Sequence, residues 1–284
     1  MTKKTIYFCC LMAICCLSCN SDSKPSQEEK AQPANPEAVS AQVAKEPSTA
    51  VQIDTIIQKP IQAPPELSYI IGRFEPSQHP DFVRVALEHA DREGLYLRKE
   101  TYEAFKKMHA AAAKEGIRLQ IRSATRNFKA QKRIWEGKWN GIRKVDGADL
   151  SKTIKEPKPR ALKILEYSSM PGTSRHHWGT DIDLNAFINE YFERGDGLKL
   201  YNWMVANAAS YGFCQPYTQK GPKRPDGYNE EKWHWSYLPL AKKLSDQAKQ
   251  ELKDAMISGF DGAEAAQAIG VVEKYVLGIN QACL

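Results

Sequence analysis

The stretch Ser174-Arg175-His176-His177-Trp178-Gly179-Thr180-Asp181-Ile182-Asp183-Leu184 constrains this chain more than any other. It gathers two of the six histidines, two aspartates and a glycine into eleven residues. Imidazole nitrogens and carboxylate oxygens are ordinary ligands of Zn²⁺, and a catalytic zinc takes three protein ligands and keeps a position open for water. Whatever fold the chain adopts must hold these side chains beside a further ligand from elsewhere. Glu231-Lys232-Trp233-His234-Trp235 is the best supplier, with a histidine three residues after a glutamate in an aromatic run. Together the two segments read as a zinc hydrolase, with Zn²⁺ as cofactor. Asp181 and Asp183 share a face if their segment is a strand, so the residues alone leave open which carboxylate is the ligand. His79, His89 and His109 lack such company and read as structural, and His177, beside His176, is expected to point elsewhere.

Ser174-x-His176-x-x-Gly179-x-Asp181-x-Asp183 resembles the Ser-x-His-x-x-Gly-x-Ala-x-Asp signature of VanY-type D-alanyl-D-alanine carboxypeptidases, a zinc peptidase group that includes lysostaphin-like enzymes. Glu231-Lys232-Trp233-His234 resembles that family's Glu-x-Trp-His signature. Ser123-Ala124-Thr125-Arg126-Asn127-Phe128-Lys129-Ala130-Gln131 resembles its Ser-Gly-Tyr-Arg-Ser-x-x-x-Gln segment, and the three stand in the family's order. The resemblance covers residues 66–240. It implies zinc ligands His176, Asp183 and His234, Glu231 as general base, and Arg126 on a substrate carboxylate or the developing oxyanion. Ser123, Gln131 and Ser174 would lie around the substrate. A guanidinium grips a carboxylate through two parallel hydrogen bonds that lysine cannot reproduce. The implied fold is α+β, a small antiparallel sheet carrying the zinc site and surrounded by helices. The implied activity is removal of the terminal D-alanine from peptidoglycan stem peptides. An L,D-carboxypeptidase or a cross-link endopeptidase is the near alternative, and a non-catalytic wall-binding lipoprotein the distant one; the intact Glu231 argues against the latter, since binding needs no base. Asp181 departs from the signature, which has a small residue there, as Thr125 and Asn127 depart from its Tyr and Ser.

At the N-terminus, Lys3, Lys4, the apolar run Ile6 to Leu17 and Ser18-Cys19 read as an export signal over residues 1–19. The apolar run is shorter than the about 20 residues a membrane-spanning helix needs. Leu17-Ser18-Cys19 resembles a bacterial lipobox, which makes Cys19 the lipidated first residue of the mature chain and the membrane a partner. The implied location is the bacterial envelope, facing the periplasm or the cell surface. Residues 20–65, rich in Ser, Pro, Gln, Glu, Lys and Ala, read as a disordered linker. Residues 66–284 follow as the peptidase domain, long enough for one well-buried core, with 239–284 a helical C-terminal extension. The balance of 40 basic against 34 acidic residues leaves only +6, with no basic stripe among aromatics, which argues against a nucleic-acid partner.

Within the domain, His79-Pro80 reads as a turn into a helix at Asp81-Phe82-Val83. Tyr102, Phe105, Met108 and Ala112 mark a helix stopped by Gly116, and alternating Ile117, Leu119 and Ile121 mark a strand ending near Ser123. Asn127 caps the helix carrying Gln131 and Trp135. Residues 139–170 read as a long loop beside the cleft. Thr180–Leu184 reads as a strand, and Leu198, Tyr201, Met204, Val205 and Ala208 as the face of a helix ending near Gly212. Phe213–Tyr217 begins a return strand. A bend before the strand Trp233–Tyr237 must bring Glu231 to the same face as His234, because residues three apart on a straight strand point to opposite faces. Trp233 and Trp235 are expected to shield the ligand, and Leu240, Leu244, Ala248 and Leu252 to line a C-terminal helix. Cys214 and Cys283 are the cysteines outside the N-terminal segment and are expected to pair in an oxidising compartment.

Overall fold

The computed structural model describes residues 65–284. The expected signal at 1–19, Cys19 and all of the 20–65 linker except Pro65 lie outside them. Helix α1 (Pro65–Ile70) leads to a two-stranded antiparallel ribbon of β1 (Phe82–Arg84) and β2 (Tyr96–Arg98), followed by α2 (Lys99–Lys114). Next come β3 (Ile121–Ser123), α3 (Phe128–Trp139), α4 (Leu150–Thr153) and α5 (Pro157–Ile164). The chain continues through β4 (Asp181–Leu184), α6 (Gly195–Asn207), β5 (Phe213–Cys214), β6 (His234–Tyr237), α7 (Leu238–Glu251) and α8 (Ala265–Ile269). The second sheet is antiparallel throughout in the order β3-β4-β6-β5. This is the expected α+β architecture, a small antiparallel sheet within helices. Among the described residues no helix is long and apolar enough to cross a membrane.

Local chemistry accounts for several elements. Helix α2 buries Tyr102, Phe105, Met108 and Ala112 along one stripe, and Gly116 at φ 73° takes the left-handed turn that ends it. Asn127 caps α3, its side chain accepting the Ala130 N–H at 2.8 Å. Two apolar clusters form, where one core was expected. One packs Phe105 and Met108 of α2 and Leu200 and Met204 of α6 against Ile121, Ile182, Leu184 and Trp235 of the sheet. The other joins α1, α3, α5, α7 and α8 through Ile70, Trp135, Ile164, Ala248 and Ile269. The Cys214 and Cys283 sulfurs are bridged, tying the C-terminal segment to β5 across a sequence separation of 69.

Other expectations need correction. Asp81-Phe82-Val83 enters strand β1 rather than a helix, because Phe82 and Val83 pair with Arg98 and Leu97. Phe82 also packs on Gly179, where an added Cβ would lie 2.5 Å from the ring. Residues 117–120 precede the strand rather than form it. The ladder partner β4 ends at Leu184, and the Gln120 N–H bonds to the Asn185 side chain instead. Residues 139–170 are not one loop, since α4 and α5 lie within them; Pro157 opens α5 at a first-turn position that needs no N–H donor. Helix α6 is rotated from its expected face: Leu200, Trp203 and Met204 are buried while Leu198 and Val205 are exposed. Beyond α7 the C-terminal segment runs through α8 and several short helical turns.

Candidate metal centre

Strand β4 presents Asp181 and Asp183 to one face and Ile182 and Leu184 to the other, the period of two inherent in a strand. Antiparallel pairing sets Asp183 opposite both Ser123 on β3 and His234 on β6. His176 arrives from the short 3₁₀ turn Arg175–Trp178, which ends at Gly179 with φ 75°, a left-handed conformation suited to glycine. Ligand atoms of His176, Asp183 and His234 thereby lie within 4.8 Å of one another, all three residues buried. His176 Nε2 is 3.3 Å from Asp183 Oδ2, and His234 Nδ1 is 3.3 Å from Asp183 Oδ1.

Glu231 reaches the same spot from the bend just before β6. The His234 N–H closes that turn onto the Glu231 carbonyl at 3.3 Å, and Glu231 Oε2 comes to 3.1 Å from His234 Nδ1. The two residues therefore share a face, as the bend required. Burial raises the Glu231 carboxyl above its ordinary value, with the His234 hydrogen bond opposing. Burial works against a charged His234, yet hydrogen bonds to Asp181 and Glu231 outweigh it and carry the ring up to about 9. His176 is lowered by burial and by the nearby Arg126. Burial alone would raise Asp183, but the adjacent imidazoles and Arg126 hold it well below the ordinary carboxylate range.

The donor set fits a divalent cation of the zinc type. Two imidazole nitrogens and a carboxylate converge, and the buried Asp183 Oδ1 has no hydrogen-bond partner among the described residues in spite of its neighbours. The rear nitrogen of each ring is engaged: His176 Nδ1 lies 2.9 Å from the Ala124 carbonyl and His234 Nε2 lies 2.9 Å from Asp181 Oδ1. Such rear contacts orient ligating histidines.

The triad and Glu231 line a cleft of about 410 Å³ together with Arg126, Ser123, Gln131 and Ser174. Arg126 is held by its neighbours, donating to Ser123 Oγ at 2.6 Å and to Gln131 Oε1 at 2.9 Å, with Nη1 3.5 Å from Asp183. Ser123 and Gln131 thus reach the cleft with their oxygens committed to orienting Arg126. Ser174 is buried and its Oγ has no hydrogen-bond partner among the described residues.

His177 stands apart from the triad, as expected. Its Nδ1 lies 2.6 Å from the Arg126 carbonyl and its Nε2 accepts the Gly172 N–H, while burial pushes the ring down to about 3. His79 packs among Tyr69, Phe74 and Phe82, and His89 against Tyr102 and His109. Trp235 does not shield the ligand: one residue beyond His234 on a strand, it points into the α2–α6 cluster. Tyr217 takes that place, its ring centroid 4.7 Å from that of His234. Tyr217 and Lys138, whose half-buried ammonium donates to Ser168 Oγ, are cleft residues that sequence reasoning missed. Lys138 falls seven residues after Gln131 on α3, a helical spacing that signals a shared face.

The profile of the VanY family, described as D-alanyl-D-alanine carboxypeptidase, matches residues 94–240. The putative carboxypeptidase YodJ of Bacillus subtilis (strain 168) is 32% identical over 176 residues, which are 59% of this chain and 55% of that protein. The chain thus spans about half the length of that relative. An uncharacterized protein of Haemophilus influenzae is 32% identical over 93 residues, 28% of this chain and 68% of that one. Among solved structures, the LD-carboxypeptidase LdcB aligns with TM-score 0.45 and 26% identity over 64% of this chain and 81% of its own. VanYB in complex with D-alanine-D-alanine aligns with TM-score 0.42 and 22% identity over 61% and 86%. The matched region holds all three residues of the triad, Glu231 and Arg126, and the chain belongs to the VanY family of D-alanyl-D-alanine carboxypeptidases.

Proposed function

We propose that this protein is a zinc-dependent carboxypeptidase that removes the terminal D-alanine from peptidoglycan stem peptides. The observation that carries the reading is the convergence of His176, Asp183 and His234 with Glu231 3.1 Å from His234 in the wall of an open cleft. Zn²⁺ held by the three residues would supply a Lewis acid that polarises the scissile carbonyl and acidifies water. Glu231, its proton affinity raised by burial, takes the proton of the attacking water and passes it to the leaving amine. Arg126, fixed by Ser123 and Gln131, offers its guanidinium to the substrate's free carboxylate or to the oxyanion. Ser174 Oγ, unpaired among the described residues, would hydrogen-bond the peptide. Export through residues 1–19 and a lipid anchor at Cys19 would hold the enzyme at the bacterial envelope, with residues 20–64 as its tether.

The test is digestion of purified pentapeptide and tetrapeptide stems by the full chain, with and without a chelator, with products read by mass. Loss of one D-alanine from pentapeptide, stopped by chelation and restored by zinc, is the expected result. Cleavage of tetrapeptide alone would move the activity to the L,D class. Cleavage of neither by zinc-loaded protein would overturn the carboxypeptidase reading.

A further inference from the structure

Asp181 departs from the signature the chain otherwise follows, which has a small residue at this position, yet it is fully buried. A carboxylate there has to be matched by donors, since an unpaired buried charge costs several kcal/mol. The matching is complete. Oδ1 accepts from His234 Nε2 at 2.9 Å and from Arg175 Nε at 3.3 Å. Oδ2 accepts from Thr180 Oγ1 at 2.5 Å and from Ser236 Oγ at 3.0 Å. Arg175, only 1% exposed, is held in turn by Ser236 Oγ and Ser245 Oγ, each at 2.9 Å, and lies 4.5 Å over the Trp178 ring. An ionised carboxylate only accepts hydrogen bonds, so the nitrogen of His234 facing Asp181 carries a proton. In the neutral ring the lone pair then belongs to Nδ1, the atom that faces Asp183 and Glu231.

We propose that Asp181, locked by Arg175, is a positioning residue that sets the tautomer and angle of His234 for metal binding. Ser245 of α7 extends this support to a segment beyond the 94–240 family match. The inference rests on the reading of His176, Asp183 and His234 as metal ligands. It explains why a carboxylate stands two residues from Asp183 without joining the triad: its oxygens are taken from behind. It also explains a serine in the middle of the buried face of α7, between Ala241 and Ala248.

The experiment uses the purified full chain. Zn²⁺ affinity is measured by competition with a chromophoric chelator, and the histidine tautomers of the zinc-loaded protein are read by nitrogen-15 NMR. In the wild type, His234 should carry its proton on Nε2. Asp181→Asn, and the pair Arg175→Met with Asp181→Asn, which removes both buried charges together, should bind Zn²⁺ about 10–100-fold more weakly while keeping the wild-type circular dichroism. Ser245→Ala should move affinity the same way by less. Affinity within about twofold of wild type in either folded variant, or a wild-type His234 protonated on Nδ1, would overturn the positioning role and leave the metal reading standing. A wild-type chain that binds no Zn²⁺ would instead overturn the metal reading. If neither variant folds, the wild-type tautomer decides.

Discussion

The two faces of the β4–β6 pair are both buried, and they are buried by opposite means. On one face Ile182, Leu184 and Trp235 disappear under α2 and α6 with nothing to hydrogen-bond but the Trp235 indole, which donates to the Lys232 carbonyl. On the other, Asp181, Asp183, His234 and Ser236 are equally hidden, and their polar atoms answer one another almost completely. The first face stabilises by removing apolar surface from water, about 1.5–3 kcal/mol for each large side chain. The second must offset the desolvation of its charges with hydrogen bonds before it contributes anything. At the Asp181 end that matching is finished. At the Asp183 end it is not, since Asp183 Oδ1 and Ser174 Oγ, beside the cleft, lack partners among the described residues. Burial is common to both faces; what distinguishes the cleft end is that buried oxygens of Asp183 and Ser174, unpaired among the described residues, belong to side chains that line it.

That contrast can be broken from either side. Trp235→Ala should cost about 3–5 kcal/mol of unfolding free energy in urea titration and leave kcat of the folded protein near wild type. A comparable loss of kcat without loss of stability would mean that the apolar face also shapes the cleft. Glu231→Gln should do the reverse, lowering kcat on pentapeptide about 10²–10⁴-fold while zinc affinity and melting temperature stay near wild type. Retained activity would remove Glu231 from the chemistry. Replacing Cys214 and Cys283 together by alanine should cost about 2–4 kcal/mol, because the unfolded chain regains the entropy of a long loop. It should lower the melting temperature more than it lowers kcat, since the bridge ties the C-terminal segment to β5 without entering the cleft.

The smallest expected effect comes from the polar seam in the apolar layer. Burial foremost, then the neighbouring His109, lowers the pKa of His89 in the fold, against the attraction of Glu88. The unfolded chain therefore binds the proton more readily. The stability this ring contributes is present above the unfolded value of about 6.5 and is lost as pH falls through the folded one. The melting temperature should decline below about pH 6.5, and His89→Gln should flatten that part of the profile. An unchanged slope would show that His89 does not carry this dependence.

The triad and its base were legible through the family's signatures, since the residues alone left the choice between Asp181 and Asp183 open and His234 comes from a distant segment. Asp183 and Glu231–His234 lie within short segments where a strand period and a bend fix direction, and Asn127 announces its helix by capping chemistry. Side chains set by distant packing were misread. Trp235 was grouped with His234 by adjacency, although adjacent strand residues part company. Phe82 became a strand residue through pairing with Arg98, and α6 turned its Leu200–Trp203–Met204 face inward to meet α2, a choice its scattered apolar residues did not dictate. Arg175 showed no role in the sequence and Asp181 only that of a rival ligand to Asp183, because Ser236 and Ser245, which complete their network, lie 61 and 70 residues from Arg175.

The sequence alone therefore carried the chemistry available to this protein: which residue types are present, at what spacing, and with what local geometry. The fold decided how each is used. His234 and Asp181 are 53 residues apart, and only the β4–β6 register brings them to 2.9 Å. Two aspartates with the same parity on one strand meet different surroundings: one is closed off by four donors and the other opens on the cleft. Hydrogen bonding acts over about 3 Å, so a contact of this kind has no counterpart in local sequence pattern and exists once the strands have paired.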